Sequence, residues 1–273
     1  MKNILVPIDF SKVSENALNY AIDLANSTKS RLTLMHVYVS PIYVGNTLDL
    51  LPSPEKMEKE FILAMEELRQ NILQKNKHLE ISIYCTPGMV PEQVEKYAET
   101  HEIDLIIIGT QGRNYLEERM LGSTASSMIR TSAFPIMTID RNVHFRAPGK
   151  ILLATDFKEL ESTTILKPLK ELAALFSSHL YILNVVEENT INSSPAEIAA
   201  GFGLNHTLKQ FHHTFFYSRN EDIVKGINEF TEQHKMDMVV MIPHHHSFIS
   251  RLFIEPQTHK MAFHSKVPLL TLH

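Results

Sequence analysis

Apolar residues follow two rhythms along the chain. Short unbroken runs, Ile4-Leu5-Val6-Pro7-Ile8, Leu32 to Val39, Ile81 to Cys85, Leu105 to Ile108 and Pro135 to Ile139, alternate with stretches in which apolar residues recur at helical spacing. The runs are short and continuously apolar, which predicts strands buried on both faces. After the first run, Ser11 predicts an N-cap, and Ala17, Leu18, Ala21, Leu24 and Ala25 form one helical face. Glu55 to about Asn76 predicts a long charged amphipathic helix. Pro91 to about His101 predicts a shorter one with proline at its first position, and Ser123 to Thr131 another. Pro41 to Pro54 reads as an irregular loop, and Thr86-Pro87-Gly88 as the break that ends the third strand. Strands alternating with helices predict a parallel sheet covered on both faces.

The pattern then restarts. Lys150-Ile151-Leu152-Leu153-Ala154-Thr155-Asp156-Phe157 echoes the opening Lys2-Asn3-Ile4-Leu5-Val6-Pro7-Ile8-Asp9-Phe10. Tyr181 to Val185 echoes Thr33 to Val37, His234 to Val240 echoes His101 to Ile107, and Val267 to Leu272 echoes Phe134 to Ile139. From His101 onward one offset carries the first half onto the second without a gap. A repeat of this length predicts duplicated domains rather than a solenoid. The expected division is residues 1–141, a linker at 142–149 carrying Pro148-Gly149, and residues 150–273.

Composition narrows the class. The 273 residues are 44% hydrophobic, carry a net charge of −5 and include one cysteine, Cys85. An acidic chain lacks the basic footprint that nucleic acid or an anionic membrane surface requires. A lone cysteine offers no intrachain disulfide and fits a reducing compartment. The opening apolar run is too short for a signal-peptide core, and no run approaches membrane-spanning length. The expectation is a soluble cytoplasmic protein with neither nucleic acid nor membrane as a partner.

The candidate chemistry lies after the fourth run. Ile106-Ile107-Ile108-Gly109-Thr110-Gln111-Gly112-Arg113 is an apolar strand ending on one glycine with a second three positions later. It is closed by Leu121-Gly122-Ser123-Thr124 at a predicted helix start. Glycines let backbone approach a ligand, and a helix start with free amides and hydroxyls suits phosphate oxygens. There is no Gly-Lys-Ser/Thr, so this is not a Walker-type loop. A structural turn with a helix cap is the plainer reading of these residues. In an open α/β sheet, ligands sit outside the carboxyl ends of strands where strand order reverses. If the first and fourth strands are neighbours, Asp9 and Gly109 face one crevice there.

Gly109-x2-Gly112-x9-Gly122-Ser123 after Asp104-Leu105-Ile106-Ile107-Ile108, with Ile4 to Ser11 and His36-Val37, resembles the universal stress protein family in a tandem two-domain form. The match runs over nearly the whole chain. The resemblance implies two doubly wound five-stranded α/β domains, forming an intrachain pseudo-dimer. It also implies an ATP or AMP site, with Mg2+ as an optional companion, in members that keep the motif. By position, Asp9 would meet the ribose or adenine and Val37 would line the adenine. Gly109 and Gly112 would border the phosphates, and Gly122, Ser123 and Thr124 would cradle them. Pro7, Ile108 and Arg113 complete the expected binding set, although Arg113 alone also reads as a solvated loop arginine. No residue is assigned a catalytic role.

The second half departs from the motif. Ile242, His245, Glu255 and Pro256 stand at the positions of Gly109, Gly112, Gly122 and Ser123. Bulk and a carboxylate there predict that this half does not hold ATP in the same manner. His244-His245-His246 falls in the matching loop, and His212-His213, His259 and His264 add to it. A polar loop of solvated imidazoles is the plainer reading; a metal site at His244–His246 is the alternative, and it would need three or four converging ligands.

Pro135 to Ile139 and Pro268 to Leu272 read as edge strands, which invite pairing. The expected pairing is within the chain, and a homodimer is a further option. The functional expectation is a stress-response module that binds adenine nucleotide in its first domain. The alternatives are slow ATP hydrolysis or phosphotransfer at that site, for which the sequence offers no placed base beyond Asp9, and an interaction protein that uses no nucleotide.

Overall fold

The structure, a computed structural model, describes residues 1–39, 53–110, 122–155, 164–186, 203–242 and 266–273. The first half runs β1 (Asn3–Pro7), α1 (Lys12–Thr28), β2 (Arg31–Tyr38), α2 (Pro54–Lys75), β3 (Ile81–Pro87), α3 (Val90–Thr100), β4 (Leu105–Gly109), α4 (Ser123–Thr131) and β5 (Ile136–Ile139). The second half supplies β6 (Lys150–Ala154), α5 (Lys167–Phe176), β7 (His179–Val186), β8 (His213–Arg219), α6 (Ile223–His234), β9 (Met238–Met241) and β10 (Leu269–Thr271).

The ten strands of the described residues form one sheet in the order β3-β2-β1-β4-β5-β10-β9-β6-β7-β8. Each half is parallel throughout, and the only antiparallel junction in this order is β5 against β10. The two predicted edge strands are therefore edges only of their own five-stranded units. Each covers the other, with Leu269 opposite Thr138 and Thr271 opposite Ile136. The seam is related by a pseudo-twofold, and its polar groups show it. Thr138 Oγ1 donates to the Leu269 carbonyl at 3.4 Å, and its repeat-mate Thr271 donates to the Ile136 carbonyl at 3.1 Å. Both hydroxyls are buried, so each needs such a partner.

Alternate residues of the strands feed two apolar layers. Ile4, Val6, Leu105, Ile107, Ile151 and Leu153 face one layer, with residues of α1, α2 and α5. Leu5, Ile106, Ile108, Leu152 and Val239 face the other, with residues of α3, α4 and α6. Both layers include residues of both halves, Met137 with Leu270 on one side and Ile136 with Leu269 on the other. Period-2 alternation with both faces apolar explains why the strands read as unbroken runs.

The third strand runs longer than expected. Thr86 and Pro87 do not break it but continue in register with Val37 and Tyr38. The strand is an outer edge of the sheet, and proline is tolerated where its missing N–H would face away from the ladder. The Pro41–Pro54 loop lies for the most part outside the described residues. Among the described residues, no helix is long and apolar enough to cross a membrane.

Candidate functional site

Strand β1 lies between β2 and β4. The chain leaves β1 toward β2 and β3 on one side, and returns through α3 to β4 on the other. The carboxyl ends of β1 and β4 are thus the point where strand order reverses, as the sequence argument requires. A cavity of about 540 Å³ opens there, a volume within the usual range for a small-molecule site. Pro7, Asp9, Val37, Ile108, Gly109, Gly122, Ser123 and Thr124 all line it. Gly112 and Arg113 lie outside the described residues.

One wall is the start of α4. Gly122 is its N-cap at φ −60° and ψ 151°, and among the described residues no side chain caps the helix. The first-turn amides of a helix have no intrahelical acceptor, and the helix dipole makes this end favourable for anions. The Gly122 N–H donates to the Thr110 carbonyl at 2.6 Å, fixing the helix start against the end of β4. Thr110 in turn donates from Oγ1 to Asp140 Oδ2 at 3.3 Å.

Gly109 is glycine for a reason of packing. A Cβ at this position would stand 2.8 Å from Val13 Cγ1 and 3.0 Å from the Val13 carbonyl oxygen. The missing side chain lets the first turn of α1 close on the end of β4. Its role is to shape the crevice by bringing α1 in.

Asp9 sits just beyond β1 and accepts the Ser11 N–H at 2.9 Å through Oδ1. Ser11 caps α1 by accepting the Ser14 N–H at 3.2 Å. Between them Phe10 adopts φ 61°, a left-handed conformation that a bulky residue rarely takes. Such local strain tends to collect at functional sites. Here it sets the Phe10 ring 5.0 Å from that of His36.

The opposite wall is aromatic and was not legible as a site in the sequence. His36 is buried, and its Nδ1–H donates to the Ile8 carbonyl at 2.7 Å, which fixes the proton on Nδ1. The His36 and Tyr38 rings lie 4.5 and 5.0 Å from Phe61, which reaches in from α2. The available signal was the stripe Phe61, Met65, Leu68 and Ile72, spaced i, i+4, i+7 and i+11 on an otherwise charged helix. Behind this wall, burial and the Glu58 carboxylate push the Cys85 thiol up. Burial, then Glu58 and Cys85, push the Tyr38 phenol up as well. This end of the cavity is lined by Val37, Tyr38 and Phe61, while the α4 end favours an anion.

The second half lacks a described counterpart. Ile242, at the position of Gly109, is buried in the apolar layer that also holds residues of α1 and α5. Asp156, His245, Glu255, Pro256 and the candidate metal residues His244, His245 and His246 lie outside the described residues, as do His259 and His264. His213 is engaged by Asn205 and the Phe211 carbonyl. Among the described residues there is no metal-binding cluster.

Comparison with known proteins gives a consistent result. The model of the universal stress protein family matches residues 1–140 and again residues 148–273. Universal stress protein MJ0531 of Methanocaldococcus jannaschii is 30% identical over 146 residues, covering 51% of this chain and 82% of that protein. A universal stress protein from Archaeoglobus fulgidus superposes with a TM-score of 0.72 at 16% identity, covering 98% of this chain and 97% of its own. That likeness concerns the fold. A universal stress protein solved in complex with cAMP matches 50% of this chain and 96% of its own, at 18% identity and a TM-score of 0.40. The cAMP is that protein's ligand.

Proposed function

Because the chain belongs to the universal stress protein family, we propose that it is a stress-response module holding ATP or AMP in the cavity of its first domain. The observation that carries this reading is the polarity of one cavity. An uncapped helix start at Gly122-Ser123-Thr124 stands at one end, and Val37, Tyr38 and Phe61 at the other. A nucleotide has a matching arrangement, with anionic phosphates at one end and at the other a flat aromatic base whose faces stack on apolar and aromatic side chains. In this reading the phosphates take the α4 amides, the base lies along Val37, and the Asp9 carboxylate accepts ribose hydroxyls. The cavity residues fall within residues 1–141. We assign residues 150–273 to the pairing partner, with 142–149 as the linker, and place the working protein in the cytoplasm.

Gly122→Glu tests the reading. It puts a carboxylate at the phosphate seat while Gly122's φ of −60° accommodates any side chain. Calorimetric affinity for ATP should fall about 100-fold, roughly 2.7 kcal/mol. Unchanged affinity in a folded variant would show that the site is misplaced.

A second reading, slow ATP hydrolysis, is favoured by one contact. The Thr110–Asp140 hydrogen bond puts a carboxylate directly behind a hydroxyl that lines the cavity. In this reading the Thr110 hydroxyl takes the proton of an attacking water as it passes its own to the Asp140 carboxylate. Turnover with Mg2+ that disappears in Asp140→Asn, at unchanged ATP affinity, would establish this reading.

A further inference from the structure

The pseudo-twofold makes two equivalent clefts between the domains. One is lined by Met1, Ile103, Asp104, Pro135, Lys167 and Glu171, among others. In the other, Met236, Asp237 and Pro268 take the places of Ile103, Asp104 and Pro135, and the linker contributes His144 and Arg146. Asp104 and Asp237 do the same work in both. Asp104 accepts the Lys2 and Asn3 N–H groups at 2.5 and 3.0 Å, and Asp237 accepts the Lys150 N–H at 2.8 Å.

The remaining charges differ. In the first cleft Glu171 meets both the Met1 amino group and Lys167. In the second, Lys235 stands where the first half has Glu102, and Lys266 where it has Ala133. Arg146, Lys235 and Lys266 come from three separate segments to one cavity of about 320 Å³ that holds a single carboxylate. That carboxylate already accepts a backbone N–H. Lys266 has a partner in Glu232, at 3.0 Å between largely exposed side chains. Among the described residues, neither Arg146 nor Lys235 is in an ion pair. The buried side chains of Val143 and Met236 form an apolar floor beneath them. The end of α6 is also turned here, and carbonyl dipoles would repel an anion. Those carbonyls are occupied, however: Lys235 and Met236 donate to Glu232 and Thr231 at 3.2 and 3.0 Å.

We propose that this cleft is a second anion site, suited to a small multivalent phosphate or phosphate-bearing ligand. Arg146, Lys235 and Lys266 face two carboxylates, Asp237 and the Lys266 partner Glu232, which leaves a local excess of positive charge on a chain whose net charge is −5. An arginine fork adds the bidentate geometry that phosphate oxygens match. The site is separate from the nucleotide cavity and shares no lining residue with it.

Inorganic pyrophosphate, titrated by calorimetry into the whole chain at low salt, is the probe. Arg146→Ala combined with Lys235→Asn should weaken one binding event at least tenfold with an unchanged melting temperature; asparagine is chosen because Lys235 has φ 52°. Gly122→Glu should leave that event intact and remove only binding at the helix start. Three results would each overturn the proposal: no pyrophosphate binding by the parent chain, wild-type binding by the double variant, or loss of all binding in Gly122→Glu. If the double variant unfolds, Lys266→Ala alone must still weaken the same event.

Discussion

The ends of β1 and β6 carry the same joint built with different side chains. In the first domain Ile8 donates its N–H to the Met35 carbonyl and its own carbonyl accepts from His36. In the second, Thr155 donates to Leu183 and its carbonyl accepts from Asn184 Nδ2 at 3.1 Å. The backbone requirement is identical, since a buried carbonyl beyond the strand end needs a donor. Asparagine meets it with an amide. Histidine meets it and adds a ring that stands against Phe10 and Phe61 in the cavity wall. At the ends of the neighbouring strands β4 and β9, Gly109 admits α1 whereas Ile242 buries a branched side chain. Duplication preserved the hydrogen bonds that hold the sheet and released the side chains that shape the crevice.

Exchanging the glycine and isoleucine should break this comparison most severely. Ile242→Ala leaves a buried cavity and should cost about 2–5 kcal/mol. Gly109→Ile drives a branched side chain into Val13 and should cost about 1–3 kcal/mol while closing the cavity. Thermal melts report the first effect, and melts with ATP calorimetry the second. A Gly109→Ile chain that melts and binds ATP like the parent would disprove the packing role given to this glycine.

His36 gives a finer test. His36→Ala strips the Ile8 carbonyl of its donor and should cost about 1–3 kcal/mol. His36→Asn copies the second domain and should recover at least half of that loss. It should still weaken ATP binding, because the ring is gone. Equal melting temperatures for the two variants would mean that the hydrogen bond is not what His36 contributes to stability. The smallest effect is expected at the seam. Thr138→Val and Thr271→Val each remove one donated hydrogen bond and should cost about 1 kcal/mol. The near-symmetry of the two contacts predicts melting-point shifts of similar size, and a large imbalance would show that the seam is held from one side.

The strands and most helix boundaries were legible because their signals are local. The α4 span Ser123–Thr131 and the apolar runs of β1, β2, β4 and β9 can be read from spacing alone. Half of the cavity was legible too, through Asp9, Gly109 and Gly122-Ser123-Thr124, because these follow strand ends or open a helix. Phe61 and Asp140 were not legible as site residues. Phe61 is one apolar residue on a helical stripe, and Asp140 one carboxylate directly after β5. Nothing in either segment says which neighbour it meets. The role of Gly109 also needed coordinates, since only they place Val13 against it.

The sequence by itself determined two copies of one α/β pattern, with a glycine-rich stretch after the fourth strand in one copy and none at the matching positions in the other. Periodicities of 2 and 3.6 are written residue by residue and survive without a partner in view. The edge character of β5 and β10 already pointed to their pairing within the chain; tertiary structure alone decided that the pairing is antiparallel and closes a single ten-stranded sheet. It also decided which aromatic rings wall the cavity and where Arg146, Lys235 and Lys266 converge. Those outcomes depend on distances between segments far apart in the chain, and such distances are set only when strand ends, helix faces and linker settle together.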